Sequence, residues 1–142
     1  MIKKTGSARW QGGLREGGGH VSTGSGVLSD EPYGVAQRFE GGKGTNPEEL
    51  IGAAHASCFS MMLAAKLTEM GLSADRIMTR ADVSLVTAGD GGYRISRSHL
   101  TLEAQIHGLD PTTFQRLAEE ARRECPVSKL LNAEVTIKAR LV

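Results

Sequence analysis

The sequence predicts an α+β fold with a largely antiparallel sheet, in the order βββ-α-ββ-α-β. Three observations carry this. The segment TNPEELIGAAHASCFSMMLAAKL, residues 45–67, is nearly all helix-forming. The first forty residues read as short strands cut by glycine, and the later segments ADVSLV, YRISRSHLTLEAQI and VTIKARLV alternate or carry β-favouring residues. Runs of strands with helices set between them are the signature of α+β architecture.

The first strands are expected near 3–11, 20–28 and 34–40, on SARWQG, HVSTGSGVL and YGVAQRF. The long helix comes next. Asn46 is a good N-cap, Pro47 fits the first helical position, and Glu49 stands three residues after Asn46 as in a capping box. Gly71 supplies the stop after Met70. Leu50, Ile51, Ala54, Phe59, Met61, Met62, Leu63 and Leu67 do not fit one narrow stripe, so the helix belongs in a core or against a partner helix. The turn AGDGG should join two strands as a hairpin. A second helix starts at Asp110-Pro111 with Phe114, Leu117, Ala118 and Ala121 on one face, and ends near Cys125, because a residue before proline disfavours the helical region. VTIKARLV is the last strand.

Length and composition place limits on function. A chain of 142 residues suits one domain, 1–142, and 39% hydrophobic with 23% charged residues is ordinary for a globular protein. A net charge of +1 leaves no footprint for nucleic acid or an anionic membrane. No apolar run follows the early lysines, so no signal peptide is expected. His55, Ser57, Ser60 and Lys66 interrupt the longest apolar stretch, which argues against a membrane span. Two cysteines make no disulfide framework, and a reducing cytoplasm is the expected setting. The 18 glycines cluster early, but GGKGT lacks the spacing of a phosphate-binding loop. They read as tight turns.

Few residues carry chemistry. Cys58 lies inside the apolar helix, where a free thiol behaves as a small hydrophobe, or else is a nucleophile. Cys125 in ECPVS falls between a helix end and a fresh turn begun by Pro126, and nearby unpaired N–H groups can acidify a thiol. The two stand 67 residues apart, so only the fold can bring them together. His55 and Cys58 share a helix face, but two ligands are too few for structural zinc, and His55 reads as a packed or capping histidine. Arg38 is either a strand-end arginine in solvent or a permanent charge that can stabilise a thiolate. Glu48 either favours its own helix start or holds that guanidinium in place.

The stretch RFEGGKGTNPEELIGAAHASCFSM, followed by ECPVS, resembles the osmotically inducible protein C (OsmC) family and its sister, the organic hydroperoxide resistance (Ohr) proteins. The likeness runs through SARWQG, VSTGSGVL, PYG and ADVSL, and these N-terminal words are closer to the OsmC branch. It implies a thiol-dependent peroxidase of the stress response that prefers organic hydroperoxides. It also implies an intertwined homodimer, with sheets wrapped around paired central helices and active sites at the interface. Residue by residue, Cys58 matches the peroxidatic cysteine and Cys125 the resolving cysteine. Arg38 and Glu48 match the arginine and glutamate that tune the thiolate. No metal, haem or selenium is called for, and the reductant would be an external dithiol, of lipoyl type in Ohr proteins. The rival reading is a non-catalytic, stress-induced protein that binds apolar ligands and whose cysteines are inert.

Helix arithmetic adds a further expectation. In an unbroken helix Glu48 and Cys58 are about 15 Å apart along the axis and roughly 80° apart around it. Glu48 can then serve a Cys58 only in another chain, and a two-fold axis with an antiparallel partner helix would supply it.

Overall fold

Glycines and backbone hydrogen bonds bound the first elements in the computed structural model, which describes residues 1–142 as two units, 1–50 and 51–142. In the first unit β1 (Gly6–Gln11), β2 (Gly18–Thr23) and β3 (Glu31–Tyr33) form an antiparallel sheet in that order. The strands are shorter than the sequence suggests. After Thr23 the chain turns, with the Gly26 N–H donating to the Thr23 carbonyl at 2.9 Å and Gly26 at φ +79°.

The strand expected over 34–40 is instead a short helix, α1 (Val35–Phe39). The Arg38 N–H donates to Gly34 O and the Glu40 N–H to Ala36 O, while Gly41 turns left-handed and Gly42 N–H also reaches Ala36 O. A single turn is too short to show a 3.6-residue period, so YGVAQRF is easily read as a strand. The Gly41-Gly42 pair is a helix stop.

The long helix, α2 (Pro47–Glu69), starts as its cap predicts, with Asn46 Oδ1 accepting from the Glu49 N–H at 2.9 Å. Glu49 departs from the capping box: its carboxylate accepts from the Thr45 hydroxyl at 2.7 Å. At the other end Gly71 takes φ +72° and the Leu72 N–H bonds back to Leu67 O, closing the helix.

In the second unit β4 (Arg76–Thr87) and β5 (Tyr93–Gln105) form the expected hairpin around the turn at Ala88–Gly92, with a bulge at Ser84/Leu85. The crossover helices are α3 (Pro111–Glu124) and α4 (Pro126–Leu130), followed by β6 (Glu134–Leu141). β6 pairs with β5 in parallel, from Arg97↔Glu134 to Ala104↔Leu141. The sheets are thus largely antiparallel, as expected, with β5–β6 the one parallel strand pair. Parallel neighbours need a long crossover, and the two helices provide it.

The core of this unit is Phe59, Leu63 and Leu67 of α2 against Leu100, Leu102 and Ala104 of β5 and Phe114, Leu117, Ala118 and Ala121 of α3. Each large side chain removed from water contributes roughly 1.5–3 kcal/mol. The buried face of α3 is the one its sequence marks. On α2 the buried residues His55, Phe59, Leu63 and Leu67 recur every fourth position. Ala53, Ala54, Ser57, Met61, Ala64 and Ala65 line the other side and are exposed. By length and composition α2 could cross a membrane, yet its buried stripe is part of a protein core.

Candidate active site

Pro126 makes the corner on which the site depends. It forces Cys125 out of the helical region, to φ −53° and ψ 124°, so that Cys125 caps both the end of α3 and the start of α4. Its N–H donates to Ala121 O at 3.0 Å and its carbonyl accepts from the Lys129 N–H at 3.1 Å. The side chain is wholly buried.

That corner lies against Cys58, which is half-buried on α2 beside Phe59. The Cys58 thiol interacts with Cys125 and with the backbone N–H of Val127. Burial raises the Cys58 pKa above the usual thiol value and the neighbouring Cys125 thiol adds to the rise, while the Val127 N–H opposes it. The acidification expected of a nucleophilic thiol therefore does not come from these neighbours. The fold does bring together the two sulfur groups that stand 67 residues apart.

Two further ties from α2 grip the chain on either side of Cys125. Lys66 Nζ lies 2.7 Å from Glu124 Oε2 and 3.5 Å from Glu120 Oε2, next to Cys125 in sequence. His55 is fully buried, with Nδ1 2.7 Å from Ser98 Oγ on β5 and Nε2 2.8 Å from Ser128 Oγ on α4. Burial lowers its pKa and keeps the ring neutral. Both ring nitrogens are engaged by hydroxyls, so the packed histidine of the sequence reading is a hydrogen-bonded one. Ser98 and Ser128 had no signal of their own in the sequence, beyond the place of Ser128 in ECPVS.

In the first unit Arg38 and Glu48 form an ion pair. Arg38 Nη2 lies 2.5 Å from Glu48 Oε1, and Nε lies 3.1 Å from the same oxygen. Glu48 is nearly buried in the first turn of α2, where the helix N-terminus favours a carboxylate. Arg38 sits on α1, with its guanidinium 5.7 Å from the Phe39 ring centroid. The connection between them is tied down by Gln37 Nε2 to Lys43 O at 2.9 Å, Thr45 N–H to Pro32 O at 2.9 Å and Asn46 Nδ2 to Gln37 O at 3.3 Å.

A family model described as OsmC-like protein matches residues 40–140. The chain is 50% identical over 140 residues to the peroxiredoxin OsmC of Escherichia coli, covering 99% of this chain and 97% of that one. It is 33% identical over 124 residues to the organic hydroperoxide resistance protein OhrB of Bacillus subtilis, with 87% and 88% of the two chains covered. The crystal structure of that OhrB superposes with a TM-score of 0.73 at 31% identity, covering 99% and 98%. An OsmC-like protein of unknown function from Vibrio cholerae gives 0.77 at 13% identity, covering 99% and 100%, and shares the fold.

Proposed function

The chain belongs to the OsmC family, and from that premise we propose that it reduces organic hydroperoxides with Cys58 as the attacking thiol and Cys125 as the resolving one. It is a cysteine-based peroxidase, an oxidoreductase. The observation that carries the residue assignment is the approach of Cys58 and Cys125 across 67 residues of sequence.

In the first step the Cys58 thiolate attacks one oxygen of the O–O bond. The sulfur becomes sulfenic acid, and the other oxygen leaves with a proton as an alcohol. Cys125 then attacks the Cys58 sulfur, forming a disulfide and releasing water. An external dithiol restores both thiols by exchange and is itself oxidised to a disulfide. The partly buried Met62 lies one helical turn along α2 from Cys58, and apolar surface there suits an alkyl or fatty-acyl hydroperoxide better than hydrogen peroxide.

A thiol whose own surroundings raise its pKa needs a cation to become a good nucleophile. Arg38, held in place by Glu48, is a prepared one. We assign it to Cys58 of a second copy of the chain, in a homodimer built on the exposed small-residue face of α2. Glu48 then acts through its own Arg38, and the pair is presented as a unit. The reading places the protein in the cytoplasm as part of oxidative or osmotic stress defence, with no bound cofactor.

The test is thiol titration before and after one equivalent of cumene hydroperoxide. Loss of both thiols together, abolished in Cys58→Ser, supports the assignment. Cys125→Ser should allow one oxidation and hold Cys58 as sulfenic or further oxidised acid. Full dithiol-dependent turnover by Cys58→Ser, or two slow thiols unmoved by peroxide, would defeat it.

A further inference from the structure

The short helix α4 has no fully buried residue of its own. Leu130 is 80% exposed, and of its apolar side chains Val127 alone packs, in part, against the core. Core burial therefore does little to hold this segment, yet it carries the Val127 N–H that meets Cys58 and follows directly on Cys125. Its one side-chain hydrogen bond to α2 is between Ser128 Oγ and Nε2 of the buried His55 ring, at 2.8 Å.

We propose that His55 is a positioning residue for disulfide closure, holding α4 through Ser128 so that Cys125 stays in register with Cys58. The ring has a firm base: its other nitrogen is fixed to Ser98, fully buried in the middle strand β5. His55 and Cys58 are three residues apart on one face of α2, while Ser128 is three residues past Cys125. The two contacts run side by side between the same two segments. A polar ring buried here costs desolvation that an apolar side chain would avoid, and only its two hydroxyl partners offset it.

The inference rests on the roles given above to Cys58 and Cys125. After peroxide has converted Cys58 to a sulfenic acid, Cys125 must bring its sulfur to bonding distance, about 2.05 Å. The new S–S bond replaces the S–O bond, and the oxygen leaves as water. A second peroxide competes for the same sulfenic acid and takes it to sulfinic acid. Holding Cys125 close raises its effective concentration and favours closure over that loss.

The experiment uses the reduced full chain, mixed with one equivalent of cumene hydroperoxide and quenched at intervals, with mass spectrometry separating sulfenic, sulfinic and disulfide forms. Ser128→Ala should slow closure about three- to ten-fold, the worth of one hydrogen bond, with a much smaller change in the first oxidation. Sulfinic Cys58 should rise correspondingly when peroxide is in excess. Ser128→Thr, which keeps the hydroxyl, should restore closure. Thr79→Val is the matched control: it removes the hydroxyl bond of 2.7 Å between Ser60 of α2 and Thr79 of β4, and should lower stability without slowing closure. His55→Phe combined with Ser128→Ala should be no slower than the worse single variant. Should wild type itself form no disulfide with one equivalent, the cysteine assignment fails. If wild type closes but Ser128→Ala closes as fast, or Thr79→Val slows closure equally, only the role of His55 is overturned.

Discussion

Arg38 and Glu48 bind each other within one chain, through two nitrogens of the guanidinium and a carboxylate nearly buried at the start of α2. A lone lysine in this place would carry the charge but not the planar fork that fixes its direction. The pair is assembled within one chain.

Removing Arg38 should therefore change reactivity far more than stability. Arg38→Ala leaves Glu48 at a helix N-terminus that tolerates a carboxylate, so the stability loss should be about 1 kcal/mol. The alkylation profile of Cys58 should move to higher pH by about one unit or more, since a lost cation disfavours the thiolate. Arg38→Lys should recover only part of this. An unmoved profile would take Arg38 out of the chemistry.

Mixing variants tests the shared site. Cys58→Ser chains and Glu48→Ala chains, refolded together, should regain peroxidase activity through heterodimers that hold one site with both wild-type residues. Confirmed heterodimers without activity, or a fully active monomer, would mean that each site is complete in one chain.

His55 should also make stability depend on pH. Its folded pKa is depressed by burial, so the native ring stays neutral while the unfolded ring takes up a proton below its ordinary value near 6.5. The unfolded state then binds more protons, and stability falls as pH drops below about 6.5, by up to about 1.4 kcal/mol per pH unit. Urea midpoints at pH 7.5 and 5.5 should show this fall. His55→Gln should be less stable at the higher pH and lose less between the two.

Gly44 allows the connection between Arg38 and Glu48 to close. It sits at φ +126°, and a Cβ there would lie 2.2 Å from the Pro32 carbonyl oxygen. Gly44→Ala should cost about 1–3 kcal/mol and shift the connection. Its Cys58 alkylation profile should then move in the same direction as that of Arg38→Ala, although neither cysteine has been touched. A variant with a normal melting temperature and a normal profile would contradict this.

What could be read from the sequence follows the range of the interaction. The cap at Asn46, the stop at Gly71 and the buried face of α3 are set by neighbours a few residues away, and all three were legible. The corner at Cys125 was legible too, because Pro126 acts on the residue before it. α1 was not, since one turn carries no period. The parallel placement of β6 was not, because VTIKARLV has the same alternation in either direction. The partners of His55 lie 43 and 73 residues away, and no local pattern marks a serine as the hydrogen-bond partner of a distant ring.

The parallel pairing of β5 with β6 has a consequence during synthesis. The β4–β5 hairpin is local and can form as soon as it is made, but β6 can join only after the helices that cross between them. Until residues 134–141 emerge, β5 is an open edge with unpaired backbone groups. Translation proceeds at about 5–20 residues per second, so that edge persists for a second or more. Nascent chains at this stage should bind chaperones that recognise exposed strands, and ribosomes stalled just before Glu134 should yield the most aggregation-prone fragments.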